Sequence, residues 1–146
     1  MRLWHYKLLP YLPDAQFKGQ LRELVAIMHD WRDKGKTNHL LINRVMNYER
    51  SELVRYYLNY EAVYYKRYGK WINQKYWQEF KAFDEYEADK YTDFAYGWHN
   101  KEYLRVCMAN LYEKYRFGIG KSRITDKEWH TLIKGYKEIT GEDYRI

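Results

Sequence analysis

The sequence predicts an all-α fold, a single compact helical domain of about five to six helices, and three observations carry that prediction. Both prolines, Pro10 and Pro13, fall among the first 13 of 146 residues, so the rest of the chain never loses a helical N–H donor to proline. Beyond them, apolar residues recur three and four apart, the period of a helix with one buried face. Capping residues and glycines punctuate these runs where helices would start and stop. The length suffices to bury one core without staples, and no repeat or linker composition divides residues 1–146.

Residues 1–13 read as an apolar N-terminal arm. Asp14 is placed to cap the first helix, in which Phe17, Leu21, Leu24, Val25, Met28 and Trp31 make the buried stripe and Gly35 ends the run. Gln16, Gln20, Glu23 and Ile27 share one flank of that helix; Lys18, Arg22, Ala26 and His29 share the other. Glu23 therefore stands beside the core stripe, where a residue on a cleft wall would stand. A shorter helix is expected from about Asn38 to Tyr48. Ser51 is placed to cap the next, with Val54, Tyr57, Leu58, Ala62 and Tyr65 as its apolar face and Gly69 as its terminator.

The pattern continues from Asn73 to about Lys90 through Tyr76, Trp77, Phe80 and Phe83. Gly97 interrupts it, and a helix from Asn100 to about Tyr115 carries Tyr103, Leu104, Cys107 and Leu111 inward. Thr125-Asp126-Lys127-Glu128 is a full capping box for the last helix, whose stripe is Trp129, Leu132, Ile133, Tyr136 and Ile139.

Composition narrows the function. Cys107 is the one cysteine, which excludes a disulfide framework and fits a reducing compartment; Leu104, Met108 and Leu111 around it predict a buried thiol. No apolar run reaches the ~18 residues of a membrane span, and the start lacks a signal-peptide core, so a cytoplasmic protein is expected. Five histidines without ligand spacing predict no metal site. Gly118-Ile119-Gly120-Lys121-Ser122 imitates half a phosphate loop, but Tyr115 occupies the place of its first glycine and no strand precedes it, which leaves a basic connector.

The net charge of +6 and an aromatic share of 20% suit a polyanion whose bases can stack. Tyrosine as amphipathic filler explains the same composition. Tyr56, Tyr57, Tyr60, Tyr64, Tyr65 and Tyr68 cover nearly all sides of one helix beside Arg55, Lys66 and Arg67, so some face the core and others suit a DNA-facing surface.

The opening MRLWHYKLLPYLPDAQFKGQLREL sets Arg22-Glu23 one helix behind the terminus. An α-amine has an ordinary pKa near ~7.8 against ~10.4 for lysine, so roughly a quarter is uncharged at pH ~7.4. It can act as an imine-forming nucleophile with little tuning.

Leu12-Pro13, Gln16, Gly19-Gln20 and Arg22-Glu23, in this order, resemble the opening of the pyrimidine-dimer DNA glycosylase (endonuclease V-type) family, and MRLWH resembles its bacterial branch. The likeness runs to Ile72 through Asn43-Arg44-Val45 and the helix from Glu52 to Tyr68, then continues loosely around Trp98-His99 and Asn110-Leu111. It implies an endonuclease V-like helical domain that acts on double-stranded DNA with a damaged base, as an N-glycosylase with coupled AP-lyase activity. It further implies a monomer with no metal or organic cofactor. Met1, through its α-amine, and Glu23 would be catalytic. Arg2, Arg22, His5, Gln16, Gln20 and His99 would meet the DNA, with His5 and His99 as candidate proton shuttles.

Two positions depart from the phage members. Those expose a threonine amine after losing the initiator methionine, whereas Arg2 predicts that Met1 is retained here; where they carry a second arginine, this chain has Ala26. Two other classes fit the residues: a helical nucleic-acid-binding module without chemistry, and a protein-interaction domain with a tyrosine surface. Borohydride trapping on abasic DNA separates them.

Overall fold

The computed structural model describes residues 3–36, 49–85 and 99–146, and these are helical, with no strand among them. The α-helices are α1 (Asp14–Lys34), α2 (Arg50–Tyr68), α3 (Lys75–Asp84), α4 (Lys101–Phe117) and α5 (Asp126–Thr140). Two 3-10 segments accompany them, η1 (Tyr6–Tyr11) and η2 (Gly120–Ser122). The all-α expectation therefore holds. The helix expected over 38–48, the stretch from 86 to Lys90, Gly97, Met1 and Arg2 lie outside the described residues.

The chain divides into two compact units, Met1–Leu3 with Leu21–Tyr96 and Trp4–Gln20 with Gly97–Ile146, so the boundary falls inside α1. In the first, α2 and α3 are joined by rings: Tyr57 stacks on Phe80 at 4.4 Å and 12°. Arg50 lies over the ring of Phe83 at 4.6 Å and donates to its carbonyl at 2.9 Å. Leu24, Ile27, Met28, Leu53, Val54, Tyr56 and Tyr60 are fully buried there.

In the second unit, η1 and α4 both lie against α5. A β-carbon added at Gly135 would meet three ring carbons of Tyr11 at 2.8 Å or less, so only glycine lets η1 approach this closely. The Tyr11 hydroxyl then donates to Glu138 at 2.5 Å. Cys107 is buried beside Leu104, Met108 and Leu111, as expected.

Several boundaries differ from the sequence reading. Asp14 is the first residue of α1 and not its cap, because Phe17 N–H bonds the carbonyl of Pro13 at 2.9 Å; its carboxylate still favours the positive helix end. Ser51 lies inside α2, where its hydroxyl donates to Glu49, the capping residue, at 3.3 Å. The buried face of α2 is Leu53, Val54, Tyr56, Tyr57, Tyr60 and Val63, while Ala62 and Tyr65 are exposed. Tyrosine rings bury more apolar area than alanine, and Tyr57 keeps a partner for its hydroxyl in Glu61 at 2.9 Å. α3 stops at Asp84, where Glu85 turns left-handed at φ 47°. α5 has the capping box: Glu128 N–H donates to Thr125 Oγ1 at 3.2 Å and Thr125 N–H to Glu128 Oε1 at 2.9 Å.

Candidate functional site

The second unit holds the N-terminal arm by its backbone. The N–H of Trp4 donates to Gln20 Oε1 at 2.8 Å, and both residues are buried. A buried amide is costly unless bonded, so this contact fixes where the chain meets α1. One residue on, His5 caps η1: its Nδ1 accepts from the N–H of Lys7 at 3.2 Å. Nδ1 being an acceptor, the neutral ring carries its proton on Nε2, which donates to the carbonyl of His99 at 2.8 Å. His99 returns the contact, its Nδ1 accepting from the N–H of Tyr6 at 3.2 Å.

The two imidazole centroids lie 5.1 Å apart, and Tyr6 and Tyr103 stack against them. Burial pushes His5 down to about 4, outweighing the bond to the His99 carbonyl, and pushes His99 down to about 2 with help from His5. Both rings are therefore neutral at physiological pH and serve as hydrogen-bonding groups of the arm.

Gln16 is also turned inward, its Nε2 donating to the carbonyl of Ser122 at 3.1 Å and tying α1 to η2. The connector from Gly118 to Ser122 thus has a structural partner. Beside the histidines an open cleft of about 260 Å³ is lined by Lys7, Asn100, Lys101 and Thr140, with Lys101 paired to Glu142.

Of the residues expected to meet DNA, His5, Gln16, Gln20 and His99 are brought together in this unit, buried and bonded within the protein. Arg22 is exposed and Glu23 half-buried on the next turn of α1, in the first unit. Met1 and Arg2 lie outside the described residues. Trp4, Tyr6 and Ser122 act through backbone groups, and no side-chain signal in the sequence could have marked them.

Among the described residues no group of three or more His, Cys, Asp or Glu side chains could hold a metal ion, and no helix is long and apolar enough to cross a membrane. Neither the curated proteins nor the solved structures contain a match. The model of the pyrimidine dimer DNA glycosylase family does match, over residues 1–77. That span takes in η1, the latched arm, Arg22-Glu23 and all of α2, more than half of the 146 residues, and the chain belongs to the pyrimidine dimer DNA glycosylase family.

Proposed function

We propose that the protein is a DNA N-glycosylase with coupled AP-lyase activity on damaged pyrimidines in duplex DNA, with the α-amine of Met1 as nucleophile and Glu23 as its catalytic carboxylate. The observation that carries this reading is the bond from Trp4 N–H to Gln20 Oε1 at 2.8 Å. It anchors the chain three residues from Met1, a reach of at most about 10 Å. Gln20 is three residues before Glu23 in α1, about 4.5 Å along the helix axis. This closeness in the chain supports pairing the amine with the carboxylate, as a two-group mechanism requires.

Damage weakens stacking, so the lesion is turned out of the duplex at lower cost than a normal nucleotide. The uncharged amine attacks the deoxyribose C1′; the C1′–N bond to the base breaks and the base leaves with a proton. The ring opens to an imine joining C1′ to the amine. Glu23 stabilises its cationic form and then takes the proton from C2′, and the electron pair expels the 3′ phosphate oxygen and breaks the strand. Hydrolysis returns the amine. Arg22, exposed on the adjacent position, suits a backbone phosphate. His5, His99, Gln16 and Gln20 are positioning residues that hold the arm.

The test is strand cleavage of a duplex carrying one cyclobutane pyrimidine dimer. The expected result is a nick at the dimer, leaving an unsaturated sugar fragment. Binding to the duplex without any nick would overturn the reading and leave a module without chemistry.

A further inference from the structure

At the end of α2 the first unit displays rings on its surface. Trp71 is 57% exposed and Tyr65 43% exposed. The two stack on each other with centroids 4.4 Å apart and planes 24° apart. Exposing a tryptophan to water is unfavourable in proportion to its apolar area, and the stacked pair offers an open, flat ring face to a ligand.

The segment that carries Trp71 is built and held. Gly69 ends α2 in the left-handed region at φ 69°, with its N–H on the carbonyl of Tyr65 at 2.8 Å, which turns the chain back over the Tyr65 ring. Ile72 is buried and anchors the next residue. The Gln74 amide donates to the Ile72 carbonyl at 3.0 Å, and Lys75 N–H to Asn73 Oδ1 at 3.0 Å. The indole is thus presented at low cost in ordering.

Charge identifies the occupant. Between Glu61 and Glu79 there is no acidic residue, while Lys66, Arg67, Lys70 and Lys75 all fall in that stretch. Lys66, Lys70 and Lys75 are exposed. Arg67 lies over the Tyr68 ring at 5.6 Å and Lys75 over the Tyr76 ring at 5.0 Å. Aromatic faces interleaved with cations, in a stretch of sequence without acidic residues, suit a base on its sugar-phosphate chain better than an apolar protein helix.

We propose that Trp71, stacked on Tyr65, is a platform for one unpaired nucleobase of the DNA substrate, with Lys66 and Lys70 on the flanking phosphates. This rests on DNA as the family's substrate and is independent of which group is the nucleophile.

The experiment is a fluorescence-anisotropy titration of the full chain with two duplexes that differ only by a single bulged nucleotide. The native protein prefers the bulged duplex. Trp71→Leu keeps apolar bulk without a π face and loses about tenfold in affinity for it, with less than about twofold on the paired duplex, while Trp71→Phe retains most of the preference. Equal losses on both duplexes, or none on the bulged one, would overturn the platform. A native protein that binds neither duplex would favour a protein partner and overturn it as well. Failure of imine trapping would strike the amine mechanism and leave this comparison intact.

Discussion

In α1, Gln16 and Gln20 are buried with their amides on the carbonyl of Ser122 and the N–H of Trp4, whereas one turn later Arg22 is exposed and Glu23 half-buried. All four belong to the same short motif, yet its two ends do different work. A neutral amide can be buried for the cost of one or two good hydrogen bonds; an unpaired charge cannot. The glutamines therefore set the path of the arm, and the charged pair is left accessible to a substrate. Membership of a motif says that a position matters; burial and bonding say for what.

The contrast is sharpest at Glu23. Glu23→Gln keeps shape and polarity and removes the charge that supports the imine and takes the C2′ proton. Strand cleavage should fall by about 100-fold or more, the usual scale for a general base, with DNA affinity roughly kept. Unchanged cleavage would make Glu23 as structural as the glutamines before it.

Gln20→Leu should act through position instead. It leaves the Trp4 N–H buried without its acceptor, at a cost of about 1–3 kcal/mol visible in the unfolding midpoint. Cleavage should fall about tenfold through misplacement of the arm, while DNA affinity changes little. Full stability together with full cleavage would break the division between the two ends of the motif.

The histidine pair gives a smaller, pH-dependent effect. Both rings have folded pKa values below the ordinary 6.5, so the unfolded chain binds more protons below that pH. Their contribution is fully present above pH 6.5 and is lost as pH falls, down to about 4 for His5 and about 2 for His99. His99→Asn removes one titrating ring, and its Oδ1 can replace Nδ1 as acceptor for the Tyr6 N–H. Between pH 6.5 and 5 the melting midpoint of this variant should depend less on pH than that of the native protein; parallel curves would contradict a neutral buried His99.

The smallest effect is expected at Arg22. Arg22→Ala should weaken binding alike on all duplex sequences and lower the slope of log affinity against log salt by about one, the signature of a single phosphate contact. A change that depends on sequence would assign Arg22 to base readout.

Local signals are legible in the sequence, and long-range ones are not. The capping box at Thr125 and the glycine stops at Gly35 and Gly69 involve neighbours only, and each is found. The face of α2 is only partly legible: Val54 and Tyr57 are buried as expected, whereas Ala62 and Tyr65 are exposed and Tyr56 and Tyr60 are buried in their place, because a ring on nearly every side of the helix leaves its apolar face ambiguous. η1 could not be foreseen. Its cap, His5, is held by His99, 94 residues away, partly through a backbone carbonyl that leaves no trace in the sequence. The motif named the right residues around the arm, but the inward turn of Gln16 and Gln20 depends on backbone partners at Ser122 and Trp4.

The most direct measurement is reduction with borohydride during incubation with abasic-site duplex DNA, followed by mass-spectrometric mapping of the adduct. An arm held on α1 with its amine at the reacting sugar predicts one covalent complex, joined through the α-amine of Met1. An adduct on a lysine, or no adduct on DNA that the protein binds, would contradict it.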